Sequence, residues 1–130
     1  MKREKRKPLK ILVIESDPDI LNDLNIALAS VGFDVDVLQT GSGILQNLFV
    51  VPDLFIINAG LPDADGLEIC RFLKLSSNYH ELPVIITSED PDLLGVALEA
   101  GAAGFMKKPF VMQHLMEVVF QTLNLAESNR

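Results

Sequence analysis

Polar groups close four of the apolar runs in this 130-residue chain. Glu15-Ser16-Asp17 follows KILVI, Asn58 follows LFII, Ser88 follows VIIT, and Lys107-Lys108-Pro109 follows GFM. A carboxylate, an amide, a hydroxyl and an ammonium group brought together could serve phosphate chemistry or recognise a partner. Asn58 decides between the two. A carboxylate there would be a nucleophile toward phosphorus and a ligand for a hard cation. An asparagine amide oxygen is neutral and a poor nucleophile. The position therefore separates a phosphate-handling enzyme from a binding module.

The elements that must position these groups are legible as five apolar runs of strand length, each followed by a helix-like segment. Strands are predicted at Lys10–Ile14, Asp34–Leu38, Leu54–Ile57, Pro83–Thr87 and Gly104–Met106, and helices near Pro18–Ser30, Gly43–Val50, Asp65–Leu75, Pro91–Ala100 and Val111–Leu123. Near-continuous apolar strands imply a parallel sheet buried on both faces. Strict strand–helix alternation implies an α/β fold: a doubly wound, five-stranded parallel sheet with five helices, a three-layer (βα)5 sandwich with right-handed crossovers. Asp17-Pro18 and Asp90-Pro91 each pair an N-cap acceptor with a first-turn proline, and Gly32 and Gly101 sit where helices end. Residues 10–125 are expected to form one domain, with a basic tail at 1–9 and a short tail at 126–130. In such sheets ligands bind beyond the carboxyl ends of the strands, where the four polar groups fall.

Composition narrows the class. The chain is 48% hydrophobic with mean hydropathy +0.28, which suits a globular domain. A single cysteine, Cys70, allows no internal disulfide and fits a reducing, cytoplasmic setting. The start, MKREKRKPLK, lacks a following apolar region, so no signal peptide is predicted, and no apolar run is long enough to span a bilayer. Five of the 11 basic residues lie in the first seven positions and Lys10 follows, leaving five basic against 17 acidic residues over 11–130. A body of net charge −12 argues against nucleic acid as its partner, and the basic start reads as a solvated terminus.

Taken in order, ILVIESDPDI, LFIINAGLPDADGLEICRFLK, LPVIITS and ALEAGAAGFMKKPF resemble the receiver domain of bacterial two-component response regulators over about residues 9–125. The resemblance implies a flavodoxin-like fold and a phosphoacceptor pocket. The family's paired magnesium carboxylates fall on Glu15 and Ser16, its acceptor aspartate on Asn58, its hydroxyl on Ser88 (or Thr87, if the loop shifts by one), its lysine on Lys108 and its switch aromatic on Phe105. It also implies that the Lys108-Pro109 bond is cis. Three carboxylates and one lysine would sum to −2 and suit Mg²⁺, whereas Glu15, Ser16, Asn58 and Lys108 sum to zero. Glu15 and Lys108 are therefore expected to satisfy one another, with Asn58 as a hydrogen-bonding bridge and no metal or cofactor required.

These departures point to a degenerate, non-enzymatic pseudo-receiver that acts through protein–protein contact. The alternative is a conventional magnesium-dependent receiver carrying an asparagine at the acceptor. Ser16 speaks against a lone acceptor change, because freezing an acceptor gives no reason to remove the adjacent metal ligand. A flavin-binding fold of the same topology fits poorly, since ESDPD would repel a phosphate. Asp63 and Asp65 read as turn and helix-start residues. The segment from Ser88 to Gly101 is about two residues shorter than receivers usually have, and Ala102, Ala103 and Gly104 stand where acidic residues often precede the switch aromatic. His80 and His114 lie far apart and read as surface residues, Cys70 and Met106 as core, with Met112 and Met116 open. In the fifth helix Val111, Leu115, Val119 and Leu123 form the core stripe. Val118 and Phe120 fall off it, and with Leu94 of the fourth helix predict an exposed patch for a protein partner or a homodimer.

Overall fold

The computed structural model describes residues 7–128, with side-chain surroundings as far as Leu125. Five strands, β1 (Lys10–Ile14), β2 (Asp34–Leu38), β3 (Leu54–Asn58), β4 (Val84–Ser88) and β5 (Gly104–Lys107), alternate with five helices. These are α1 (Pro18–Ser30), α2 (Ser42–Leu45), α3 (Gly66–Leu75), α4 (Leu93–Glu99) and α5 (Met112–Ser128). All strand pairs are parallel, in the order β2-β1-β3-β4-β5. The order doubles back between β1 and β3, and a crevice opens at the strands' carboxyl ends.

Two cores sandwich the sheet. Leu12, Ile14, Phe55, Ile57 and Ile86 pack against α2, α3 and α4 on one face, while Ile11, Val13, Leu54, Ile56 and Ile85 meet α1 and α5 on the other. Every residue of β3 and β4 is buried, which is why LFII and VIIT read as unbroken apolar runs.

Local punctuation works as the residue types dictate, with informative exceptions. Asp17 caps α1, accepting from the Asp19 and Ile20 amides at 2.9 and 3.4 Å. Gly32 and Gly101 adopt left-handed φ values of 100° and 97°. The predicted cap at Asp90-Pro91 does not start α4. Asp90 Oδ1 instead accepts from the Asp92 amide, a tight turn forms, and the helix begins at Leu93. Helix α2 is a single turn rather than the predicted Gly43–Val50, because Asn47 takes φ 58° and turns Phe49 inward.

Helix α5 begins at Met112, one residue later than predicted, and runs to Ser128 rather than stopping at Leu123. No glycine or proline interrupts it there. Val111, expected on its core stripe, is 70% exposed just outside the helix, and Thr122 is buried beside Leu115, Val119 and Leu123 instead. The basic start through Arg6 and the last two residues lie outside the described residues.

Candidate functional site

The crevice is built from strand ends, so its side chains inherit the rigidity of the sheet. Glu15 leaves β1 only 2% exposed, and Lys108 leaves β5 at 8%. Glu15 Oε1 is ion-paired with the Lys108 ammonium. Its Oε2 accepts from Asn58 Nδ2 at 2.9 Å and from the Asp17 amide at 3.0 Å. Asn58 ends β3, its Nδ2 also reaching the Gly60 carbonyl at 3.3 Å and its Oδ1 accepting from the Gly60 amide at 3.2 Å. The ion pair matches the charge count. The asparagine does not bridge to the lysine; it joins Glu15 to the turn after β3.

That turn is held from beneath. Gly66 opens α3 directly under the end of β3, where an added Cβ would lie 2.8 Å from Ala59 Cα and closer still to the Asn58 carbonyl oxygen. Only glycine admits such an approach. Asp65 caps α3 through the Leu67 amide at 2.9 Å, and Asp63 accepts from the Gly41 and Ser42 amides at 2.9 and 3.0 Å, tying the same loop to the start of α2.

Beyond the ion pair lies an open cleft of about 330 Å³, lined by Asn58, Gly60, Ser88, Glu89, Asp90 and Lys108. Ser88, rather than Thr87, lines it. Thr87 is buried and paired with Asn58 in the β3–β4 ladder. Ser88 Oγ accepts from the Asp90 amide at 3.0 Å, and the Ser88 carbonyl accepts from the Lys108 amide at 2.8 Å. The Lys108-Pro109 peptide is cis. Phe105 is half-buried against the α4-side core.

Residues 11–120 match the sequence profile of the response regulator receiver domain. The chain belongs to the response regulator receiver family. Among the receivers' curated relatives it is 33% identical over 110 residues to the DNA-binding response regulator MtrA of Mycolicibacterium smegmatis, covering 82% of this chain and 47% of that protein. It is 32% identical over 111 residues to the transcriptional regulatory protein TrcR of Mycobacterium tuberculosis, covering 84% and 43%. The chain thus spans about half the length of the curated relatives it matches. The receiver domain of a signal transduction histidine kinase from Syntrophus aciditrophicus superimposes with a TM-score of 0.81 at 29% identity, covering 89% of this chain and 90% of that one. A CheY-like receiver from Methanospirillum hungatei shares the fold with a TM-score of 0.85 at 21% identity, covering 95% and 99%. Receiver domains are signalling modules of two-component systems rather than enzymes in their own right.

Against the magnesium that receivers imply, these side chains fit badly. Magnesium demands a near-octahedral shell of oxygens, with one or two carboxylates supplied by protein. Here both oxygens of the one buried carboxylate already accept three donors, and Asn58 turns its NH₂ toward Glu15. Among the described residues no three His, Cys, Asp or Glu side chains cluster as a metal site would require. Ser16 is half-buried beside them and brings no charge.

The crevice has two carboxylates that the sequence-based count omitted. Glu89 and Asp90 line its mouth, and both are exposed. Their place directly after Ser88 was the available signal. Asp63's grip on α2 had none, because its partners lie more than 20 positions away.

The predicted patch across α4 and α5 is only partly present. Leu94 is exposed, as is Leu98 one turn later. Val118 is half-buried, packing against the α1–α5 core and under Gly104. Phe120 is 46% exposed, yet its ring lies 5.5 Å from that of Phe33, turned toward the end of α1. Helices α4 and α5 cover opposite sheet faces, and each buries its own inner row, so the outlying residues do not form one stripe. His80 and His114 are exposed, and Cys70 is fully buried with its thiol directed at the Ala100 carbonyl. Met106 is core, and Met112 and Met116 of α5 are partly buried against the core that α5 shares with α1.

Proposed function

We propose that this receiver signals without aspartyl phosphate, as a pseudo-receiver working through protein–protein contact. The observation that carries the reading is that both Glu15 oxygens are engaged, by Lys108, Asn58 and the Asp17 amide. A phosphoacceptor pocket holds excess negative charge that a cation must offset. This one is neutral at its centre and internally bonded. No described helix is long and apolar enough to cross a membrane, and a free, buried Cys70 suits a cytoplasmic setting. Its partner is a protein rather than nucleic acid, and the exposed Leu94 and Leu98 row on α4 is the surface we assign to it.

The retained Ser88, Lys108 and Phe105 favour the second reading, an ordinary receiver altered at its acceptor. Repairing the acceptor distinguishes the two. With acetyl phosphate and magnesium the native chain should gain no phosphoryl mass. Asn58→Asp alone should label feebly, because Ser16 leaves magnesium one carboxylate short. Asn58→Asp with Ser16→Asp should raise magnesium affinity beyond the product of the single effects, since the ligands act as a unit. Efficient magnesium-dependent labelling of Asn58→Asp alone would establish the ordinary receiver and discard the pseudo-receiver.

A further inference from the structure

The segment between β2 and β3 presents apolar side chains to solvent from a fixed frame. Leu48 and Val50 are 67% and 63% exposed, with Leu45 and Val51 also out. The frame does not fray to expose them. Between them Phe49 packs inward, its ring 5.8 Å from Phe55 and 5.1 Å from Tyr79. The Tyr79 hydroxyl donates to Asn47 Oδ1 at 3.2 Å, the Leu48 amide donates to the Gly43 carbonyl at 2.7 Å, and Pro52 is buried. Exposed apolar groups held in place by buried neighbours mark a contact surface.

The charge pattern says which contact. Residues 37–52 contain no Asp, Glu, Lys, Arg or His in a chain of net charge −7. At the margins, Asp34 and Asp36 are paired with Lys10, and Asp53 accepts from the Lys10 amide at 2.8 Å. Two copies of so acidic a chain repel wherever their carboxylates meet, and this is the longest run with no charged or histidine side chain of either sign. A twofold contact sets a patch against itself. An apolar, uncharged patch matches itself, whereas a charged one opposes like charges.

We propose that the β2–β3 connection, centred on Leu48 and Val50, is the self-association face of a homodimer. The contact is separate from the crevice and does not depend on whether the crevice accepts phosphate.

Sedimentation equilibrium of the full 130-residue chain tests this. The expected result is a reversible dimer at concentrations up to about 1 mM. Because the copies carry like charge, raising NaCl from about 20 to about 300 mM should tighten it roughly threefold. Leu48→Glu with Val50→Glu should weaken it by about tenfold or more while the urea midpoint stays put, since both side chains are exposed. Leu94→Glu with Leu98→Glu should leave dimerisation unchanged. A chain monomeric at all concentrations, a dimer loosened by salt, or one dispersed by the α4 variant and not by the loop variant would each overturn the proposal. The last outcome would transfer self-association to α4; the first would leave the loop to a different protein.

Discussion

At the scale of single residues the crevice is governed by one carboxylate. Glu15 is buried with three donors, so removing either end of its ion pair strands a charge in a low-dielectric site. Glu15→Ala should cost about 3–5 kcal/mol, because the Lys108 ammonium then has no counter-charge. Glu15→Gln with Lys108→Met removes both charges together and should cost far less, being neutral or even stabilising. Urea denaturation of Glu15→Gln, Lys108→Met and the double gives the coupling directly. If Glu15→Ala costs no more than an ordinary surface change, the buried pair is not formed in solution. The same residue shows how far side-chain identity carries a reading. Charge counting over Glu15, Asn58 and Lys108 anticipated the pair from sequence. It could not anticipate that Asn58 would turn its amide to Gly60, because rotamer and register decide that.

At the scale of elements, every strand was legible to within a residue. Strands β1 and β2 run over their predicted spans, and the core strands β3 and β4 were found within a residue. Their apolar runs face two cores and leave little ambiguity. The errors gather where local signals compete with tertiary contacts. LQNLFVV has helical spacing, yet Phe49 is needed against Phe55 and Tyr79, and the helix gives way at Asn47. Helix α2 survives as one turn partly because Asp63 reaches across to its first amides. Asp63→Ala should therefore destabilise the fold by about 1 kcal/mol, as loss of a helix cap does. Hydrogen exchange should quicken at Gly41 and Ser42 ahead of the sheet amides. Unchanged exchange there would deny the carboxylate this role.

For the whole molecule, alkaline pH reports the packing of α3. Burial pushes the Cys70 thiol up, against the weaker pull of Lys74 and Arg71. The unfolded thiol ionises first, so its contribution to stability is full below about pH 9 and is lost as pH rises through the folded value. Lys10, raised by its hydrogen bonds to Asp34 and Asp36, acts in the same direction at higher pH. Lys74 acts oppositely. Burial lowers it, so its contribution is present above the usual lysine value and is lost as pH falls through the folded one. Cys70→Ala removes the first of these effects and, with it, the thiolate's partial offset of the burial that lowers Lys74. The wild-type advantage over Cys70→Ala in urea should accordingly narrow as pH rises above about 9, where the unfolded thiol ionises. A gap that stays constant would mean the thiol titrates alike in both states.

The Glu15–Lys108 pair also joins residues 93 positions apart, directly after strands that are not neighbours in the sheet. Glu15 directly follows the first strand of this sheet in chain order, and its counter-charge directly follows the last. A truncated chain that folded around β1, β3 and β4 alone would keep the Asn58 and Asp17 donors to that carboxylate but have no counter-charge for it. The fold thus carries its own check on completeness: the interior becomes electrically acceptable only when the final strand has docked.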